Sequence, residues 1–250
     1  MQAVSRRFFT ALVVLASAHA ASGQTADEII EKHLTAIGGR AALAKLKSRT
    51  MTGTITLTTP AGDVSGPIEV LTQAPNKTRT LIKLDLSAFG AGELTIDQRF
   101  DGASGYVIDT MQGNRDITGS QLENMRNGSF PSTLANYKQR GVTVKLGGKE
   151  KIGEREAYLL VMEPISGPVA RQFIDTESYL PVRSVVKLDL PQVGEVEQTT
   201  DFADFREVDG VKVPFVIKAS SAVQRSTIAL TKVEHNKPID EALFSKPAPK

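Results

Sequence analysis

Met51-Thr52-Gly53-Thr54-Ile55-Thr56-Leu57-Thr58 alternates strictly, with a threonine at every second position. A β-strand turns successive side chains to opposite faces, so this stretch predicts a strand with one apolar and one hydroxyl-bearing face. The same period of two recurs along the chain, for example over Thr80–Leu86 and Val182–Leu190. Turn-forming dipeptides such as Asp101-Gly102 separate the segments. The pattern therefore predicts a mainly β fold in which strands adjacent in sequence pair as an antiparallel meander.

About eleven such strands are predicted between Arg49 and His235, with no linker that would divide them into domains. Helical patterns flank and interrupt them. Thr25-Ala26-Asp27-Glu28 fits a capping box that opens a first helix, and a helical insertion is predicted over residues 120–139. A sheet of about eleven strands curls into a barrel too wide for its own side chains to fill, so we expect a cavity or a plug.

The first twenty residues have the composition of an export signal. Arg6 and Arg7 precede an apolar run from Phe8 to Ser17, and Ala18-His19-Ala20 fits a cleavage site. The run is too short to span a bilayer, and the alternative is a buried first helix. We therefore expect residues 1–20 to be a cleaved signal peptide, residues 25–250 to form the folded domain, and the protein to be periplasmic.

Ser5-Arg6-Arg7-Phe8-Phe9 also resembles the twin-arginine export motif, with Thr10 at the place of the usual leucine. Both the twin-arginine route and general secretion therefore remain open. Either route leads out of a bacterial cytoplasm.

Composition excludes several kinds of site. The chain has no cysteine, which rules out disulfides and thiolate metal sites. Loss of Arg6 and Arg7 with the signal lowers the Lys+Arg count from 30 to 28, equal to the 28 Asp+Glu, and no basic run remains for nucleic acid. His33 is expected to be structural and His235 to be exposed to solvent. We therefore predict no cofactor, no metal and no nucleic-acid partner.

Three stretches carry a resemblance to a known family: Ala74-Pro75-Asn76, Phe130-Pro131-Ser132-Thr133-Leu134, and the segment from Phe205 to Pro214. Together with the export signal and the helix pair, they resemble the outer-membrane lipoprotein carrier and receptor superfamily (LolA/LolB-like), in particular its lipoprotein-sorting-like proteins. The resemblance implies a half-open antiparallel β-barrel of about eleven strands with a helical lid, in a single domain. It also implies a non-enzymatic carrier or chaperone that binds acyl chains.

One position departs from the family pattern. The resemblance implies an arginine just before the Pro-Asn turn, where it hydrogen-bonds the lid, but this chain has Ala74 there. The departure favours a general hydrophobic ligand, a lipid or acyl group, over a lipoprotein.

The apolar positions of the predicted strands and of the lid are the candidate ligand contacts, since they share the face that a curved sheet turns inward. They are Ile55, Leu57, Ile68, Val70, Ile82, Leu84, Leu160, Met162, Val186, Leu188, Phe215 and Ile217 on the strands, and Leu122, Met125 and Leu134 on the lid. The alternative is that these side chains form an ordinary packed core with no space left, because face alternation does not distinguish a filled barrel from a hollow one.

The sequence thus leaves three functions open. The first is a periplasmic carrier of a lipid or an acylated protein, with envelope membrane proteins as further partners. The second is an envelope structural or protein-interaction module with a filled barrel, which docks through exposed strand edges. The third is an enzyme with a carboxylate pair, since such pairs are assembled in space rather than in sequence. We expect the protein not to be an enzyme.

Overall fold

The computed structural model describes residues 24–190 and 193–248, so the predicted signal peptide lies outside the described residues. The helices are α1 (Ala26–Ala36), α2 (Arg40–Leu43) and α3 (Gly119–Asn127), with single 3-10 turns at Ser87–Phe89, Thr133–Ala135 and Glu241–Leu243. The strands are β1 (Ser48–Thr59), β2 (Gly62–Gln73), β3 (Lys77–Asp85), β4 (Glu93–Phe100), β5 (Gly105–Asp109), β6 (Arg115–Ile117), β7 (Thr143–Ile152), β8 (Arg155–Glu163), β9 (Ala170–Asp175), β10 (Pro181–Leu190), β11 (Gly194–Val208), β12 (Val211–Ser220) and β13 (Arg225–His235).

All strands belong to one antiparallel sheet in the order β6-β5-β4-β3-β2-β1-β13-β12-β11-β10-β9-β8-β7. Its edge strands, β6 and β7, do not pair with each other, so the barrel is half open. The predicted mainly β class and half-open architecture are confirmed. The strand count was too low: there are thirteen rather than about eleven. The three-residue β6 was missed because it is too short to show a period of two.

Cross-strand pairs define an inner face of the sheet. Ile228 of β13 lies opposite both Ile55 of β1 and Ile217 of β12, and Ile68 of β2 pairs with Ile82 of β3. Because directly opposed side chains contact each other, these pairs make a continuous apolar strip across the middle of the sheet. The alternation read from the sequence therefore gives the correct face for these strands.

α1 and α2 fill one end of the inner face. The predicted capping box is present: Thr25 Oγ1 accepts a hydrogen bond from the Glu28 amide at 3.2 Å, and Glu28 Oε2 accepts one from the Thr25 amide at 2.9 Å. Ile30 and Leu34 of α1 join a buried cluster with inner-face residues such as Phe215. Part of the barrel is therefore plugged by the N-terminal helices.

The outer face also carries a buried apolar cluster, which the sequence did not predict. Leu159 alternates with the inner-facing Leu160 and packs with Phe173, Val182 and Val185. The register shifts between Pro181 and Arg183, which moves Val182 out of phase with the rest of its strand. The outer face is therefore apolar and buried at β8–β10.

The helical insertion is shorter than predicted. α3 begins after Thr118 with no side-chain cap, and the hydroxyl of Ser120, where the predicted insertion begins, bonds the backbone of Asp189. Residues 131–139 contain only the 3-10 turn at Thr133–Ala135. Leu134 and Tyr137 have helical spacing, but both are drawn into the core around α1, and that tertiary packing overrides the local pattern.

A C-terminal segment, residues 236–248, follows β13 and reaches the outer face of β4–β6. The backbone carbonyl of Ser245 accepts a hydrogen bond of 3.2 Å from Arg99 Nη1, and Lys246 forms an ion pair of 2.8 Å with Asp116. Phe244, which precedes both of these residues, is 1% exposed. The segment is thus an integral part of the barrel wall.

Candidate functional site

The segment that carries α3 joins the two edges of the open sheet, since it connects β6 to β7. α3 packs against β10, and on its other side Gln98 Nε2 of β4 lies 3.8 Å from Met125 Sδ. Strands β4 and β10 belong to opposite halves of the sheet. α3 therefore bridges the opening of the barrel as a helical lid.

Polar contacts at both ends hold the lid. Near its start Ser120 Oγ accepts a hydrogen bond of 2.7 Å from the Asp189 amide of β10. Near its end Arg126 Nη2 donates to the carbonyl of Ala103 at 2.7 Å, and Asn127 Nδ2 donates to the carbonyl of Ser166 at 2.8 Å. No residue of α3 is buried. Because such hydrogen bonds contribute about 0.5–1.5 kcal/mol each, the lid is held more weakly than a helix packed into the core.

A cavity of about 220 Å³ lies between the lid and the inner face of β8–β11. Its walls come from the end of α3 and the segment after it, from the loop between β8 and β9, and from four strands. The lining residues are Asn124, Asn127, Gly128, Thr133, Val142, Met162, Pro164, Pro168, Ala170, Gln172, Ser184 and Phe202.

The lining is mixed but carries no ionisable side chain. Five of its residues have neutral polar side chains, and the others are apolar or glycine. The volume is below the range of about 300–1,000 Å³ that is typical of small-molecule sites. The space under the lid therefore suits a small neutral group, or part of a longer ligand.

The fifteen residues predicted to contact the ligand fall into separate groups on the inner face and the lid. Leu134, Leu160, Met162 and Phe215 belong to the buried core around α1 and α2, where Val70 also packs. Ile55, Ile68 and Leu84 form a second buried cluster, against which Leu57 and Ile82 pack. Of all fifteen, Met162 is the residue that lines the cavity.

The other predicted contacts lie around these clusters. Val186 and Leu188 are on β10, where Val186 pairs with Gln198 and Leu188 with Val196. Ile217 is in the central strip of isoleucines. Leu122 and Met125 are half-buried on α3. The structure thus spreads the predicted residues along the whole inner face and does not gather them around one space.

Sequence reasoning missed the polar lining. Gln172 and Ser184 share the inner face with Met162, because Met162 pairs with Ala170 two positions before Gln172, and Gln172 pairs with Ser184. The predicted strands imply this phase, but the expectation of an apolar ligand pointed to the apolar residues of the face alone. Pro164 and Pro168 lie in a loop, where no periodic signal exists.

The two histidines of the described region are both structural. His33 Nδ1 lies 3.0 Å from the carbonyl oxygen of Tyr179, and burial lowers the pKa of His33. His235 was predicted to be exposed, which is wrong: its side chain is 1% exposed, and its Nδ1 lies 3.0 Å from Asp209 Oδ2. The turn between β11 and β12 brings Asp209 to it, a contact 26 residues away in sequence.

Arg49 lies on the inner face of β1, in phase with Met51, and forms no ion pair with the part of the chain that the structure describes. Its Nε atom is buried without a hydrogen-bond partner in the described chain, and its guanidinium lies 5.3 Å from the centre of the Phe130 ring. Burial lowers the pKa of Arg49 to about 10. Phe130 belongs to the segment that follows α3, and its amide donates to the carbonyl of Pro75 at 2.8 Å. Arg49 therefore contacts the segment beside Ala74 that continues the lid.

A larger concavity of about 640 Å³ lies at one end of the sheet. Its walls are the start of β8, the end of β9 with the loop that follows it, and residues 203–205. It is bordered by carboxylates, including Glu154 and Glu156. The most buried of them, Asp175, accepts hydrogen bonds of 2.7 Å from the amide and the hydroxyl of Ser178. That carboxylate thus closes a turn.

Among residues 24–190 and 193–248, no cluster of His, Cys, Asp or Glu has the makings of a metal site. None of the helices described there has the length and apolar character needed to cross a membrane.

No protein-family model matches the sequence, and no curated protein matches it. Solved structures do match. A LolA superfamily protein from Nitrosomonas europaea is 15% identical, with a TM-score of 0.55 over 89% of this chain and 98% of the other. A DUF1329 family protein from Desulfovibrio piger is 12% identical, with a TM-score of 0.55 over 88% and 96% of the two chains.

A domain from Vibrio parahaemolyticus described as an outer membrane lipoprotein-sorting protein gives 11% identity and a TM-score of 0.55, over 86% of this chain and 95% of the other. At these identities the likeness establishes the fold. The family resemblance predicted from the sequence is therefore confirmed as a likeness of fold.

Proposed function

We propose that this chain, which has the fold of LolA superfamily proteins, is a periplasmic, non-enzymatic carrier or chaperone for a hydrophobic ligand. The ligand is a lipid or the acyl part of a modified protein, held on the inner face of the half-open barrel. The observation that carries the proposal is the cavity under α3, a helix with no buried residue that is attached at its ends by hydrogen bonds.

Lid movement is part of the proposal because the cavity is small. Its 220 Å³ cannot hold a long acyl chain, so α3 must move away from β10 as the ligand enters. Burial of the chain then contributes about 0.8 kcal/mol per methylene group, so a few methylenes offset the lost lid hydrogen bonds. The apolar inner-face residues beyond Met162, such as Ile55, Ile82 and Ile217, are proposed to contact the rest of the chain.

Two observations bear on the kind of ligand. The Vibrio parahaemolyticus neighbour is described as a lipoprotein-sorting protein, which favours an acylated protein. Ala74 stands where the family resemblance implies a lid-binding arginine, which favours a broader class of acyl ligand. We propose the broader class, with lipoproteins as one member of it.

The test is whether the protein carries lipid and whether filling the cavity prevents it. Native mass spectrometry of exported protein purified without detergent should show the masses of bound lipid. Ala170→Phe places a large side chain in the cavity and should abolish these masses. Val169→Phe, at a neighbouring side chain that is 48% exposed, is the matched control and should retain them. Protein that carries no lipid and takes up none from vesicles would contradict the proposal.

In that event the alternative of an envelope interaction module would stand, and β7 would be its first candidate surface. This edge strand is exposed along most of its length. An exposed edge offers unpaired backbone groups to another strand.

The proposed export route has its own test. Replacing Arg6 and Arg7 together by lysine should leave the protein in the cytoplasm if the twin-arginine route is used, and should not affect export by general secretion. Cell fractionation distinguishes the two results. Retention of the wild-type protein in the cytoplasm would contradict the periplasmic assignment.

A further inference from the structure

We infer that the cavity under α3 selects a neutral polar group, such as the ester or amide of an acyl compound, against a free carboxylate or phosphate. The inference rests on the proposed function and narrows it, since it names the chemical class of ligand that the site accepts. The observation behind it is the set of polar side chains that line the cavity.

Four polar side chains border the cavity with unused hydrogen-bonding capacity. They are Asn124 on the lid, Thr133 on the segment after it, Gln172 on β9 and Ser184 on β10. No hydrogen bond joins any of these side chains to another residue of the described chain. Each is half-buried, so a ligand that excludes water from the cavity must satisfy them or leave them unpaired. Polar groups that converge on a pocket in this way fix the orientation of a ligand.

The two amides and two hydroxyls supply both donors and acceptors. An amide has an NH₂ donor and a carbonyl acceptor, and a hydroxyl can act as either. A ligand carbonyl that accepts from Gln172 and a ligand N–H or O–H that donates to Asn124 or Ser184 would both find partners. Esters and amides of acyl chains offer these groups without a charge.

A charged group lacks compensation in the same place. None of the residues lining the cavity is Lys, Arg or His, so a carboxylate would lose its hydration without gaining a counter-charge. The cation of the lid helix itself is Arg126. It donates a hydrogen bond to the carbonyl of Ala103 and forms an ion pair of 2.7 Å with Glu123. The lid therefore brings no free positive charge to the cavity.

The experiment compares three ligands with the same chain, namely dodecanoic acid, its methyl ester and its primary amide, at pH 8. Each competes with the neutral fluorescent probe N-phenyl-1-naphthylamine on the full exported protein. We expect the ester and the amide to displace the probe at concentrations roughly tenfold lower than dodecanoate, because the ionised group is desolvated without a partner. Equal or tighter binding of dodecanoate would overturn the inference and leave the carrier function standing. Failure of all three ligands would overturn both.

A substitution that adds charge tests the position of the head group. Gln172→Lys supplies a cation inside the cavity and should reverse the preference, with dodecanoate gaining roughly tenfold relative to the ester. Gln198→Lys is the matched control, because Gln198 is half-buried on β11 but does not line the cavity. A reversal with both variants would place the head group elsewhere and contradict the inference. Thermal unfolding verifies that both variants are folded.

Discussion

The side-chain amide of Asn127 donates a hydrogen bond of 2.8 Å to the backbone carbonyl of Ser166, which ties the end of α3 to the loop between β8 and β9. Asn127 also lines the cavity. The same side chain thus holds the lid and borders the space that the lid covers. Its removal should therefore loosen the lid without affecting the stability of the barrel.

Asn127→Ala should make the amides of residues 119–127 exchange with solvent roughly three- to tenfold faster, because one hydrogen bond contributes about 0.5–1.5 kcal/mol. The free energy of global unfolding should change little, since α3 buries no residue. Hydrogen exchange followed by mass spectrometry measures the effect. Asn136→Ala, at an exposed position outside the helix, is the control. Equal exchange in the two variants would show that the bond does not hold the lid.

A buried carboxylate joins two arginines on the outer face. Asp97 accepts bonds of 2.7 and 2.9 Å from Arg79 and of 2.8 Å from Arg99. Burial by itself raises the pKa of Asp97, but the hydrogen bonds from Arg79 and Arg99 outweigh it and hold that pKa below its ordinary value. The stabilisation is therefore fully present above the unfolded-state pKa of 3.8 and is lost as the pH falls through the lower folded-state pKa.

Asp97→Asn should accordingly lower the free energy of unfolding by about 2–3 kcal/mol at pH 7, because it removes the carboxylate charge that both guanidinium groups share and leaves Arg79 with its longer ion pair of 3.5 Å to Glu69. The loss should shrink as the pH falls below about 4. Urea unfolding at several pH values measures it. The exposed Asp116, paired with Lys246, provides the control: Asp116→Asn should cost at most about 1 kcal/mol. If the loss in Asp97→Asn did not change with pH, the stabilisation would not come from the ionised carboxylate of Asp97.

Gly53 allows β1 and β13 to approach each other at a break in register. A Cβ atom at this position would lie 2.2 Å from the carbonyl oxygen of Ala229, so the backbone would have to move. Gly53→Ala should therefore destabilise the protein by about 2–3 kcal/mol through overpacking. Gly92→Ala has no atom within 4 Å of its new methyl group and should be nearly neutral. Thermal unfolding compares them, and equal melting temperatures would refute the close approach.

Phe244 anchors the C-terminal segment and is 1% exposed, whereas Phe89 is 45% exposed. Phe244→Ala should cost about 3–5 kcal/mol, the usual loss for a buried phenylalanine, and Phe89→Ala less than about 1 kcal/mol. Urea unfolding provides both values. A small loss in Phe244→Ala would mean that the segment is dispensable.

The charge of Arg49 should destabilise the folded protein, since its Nε is buried without a hydrogen-bond partner and no carboxylate lies within 4 Å of the guanidinium in the described chain. Arg49→Met keeps the apolar stem and removes the charge, so the free energy of unfolding should stay equal or rise by about 1 kcal/mol, despite the lost contact with Phe130. Arg99→Met, which removes a paired cation, should instead lower it. A marked loss in Arg49→Met would reveal a stabilising role for the unpaired cation.

Local features were predictable from the sequence because they depend on residues close together in the chain. The alternation in Met51–Thr58 gave β1 and its apolar face, the Asp101-Gly102 dipeptide gave a turn, and Thr25 with Glu28 gave the start of α1. The mainly β class, the half-open barrel and the position of the lid between β6 and β7 followed from the same patterns together with the family resemblance.

Only the tertiary structure decided what lies on the inner face. The alternation in Met51–Thr58 assigns Ile55 to that face, but it does not say that α1 and α2 pack onto it or that Gln172 and Ser184 border a cavity there. Those placements depend on strand register and on contacts between distant residues, such as Asn127 with Ser166 or His235 with Asp209. A period of two fixes the face of a side chain, whereas the three-dimensional packing of the chain determines what that side chain meets.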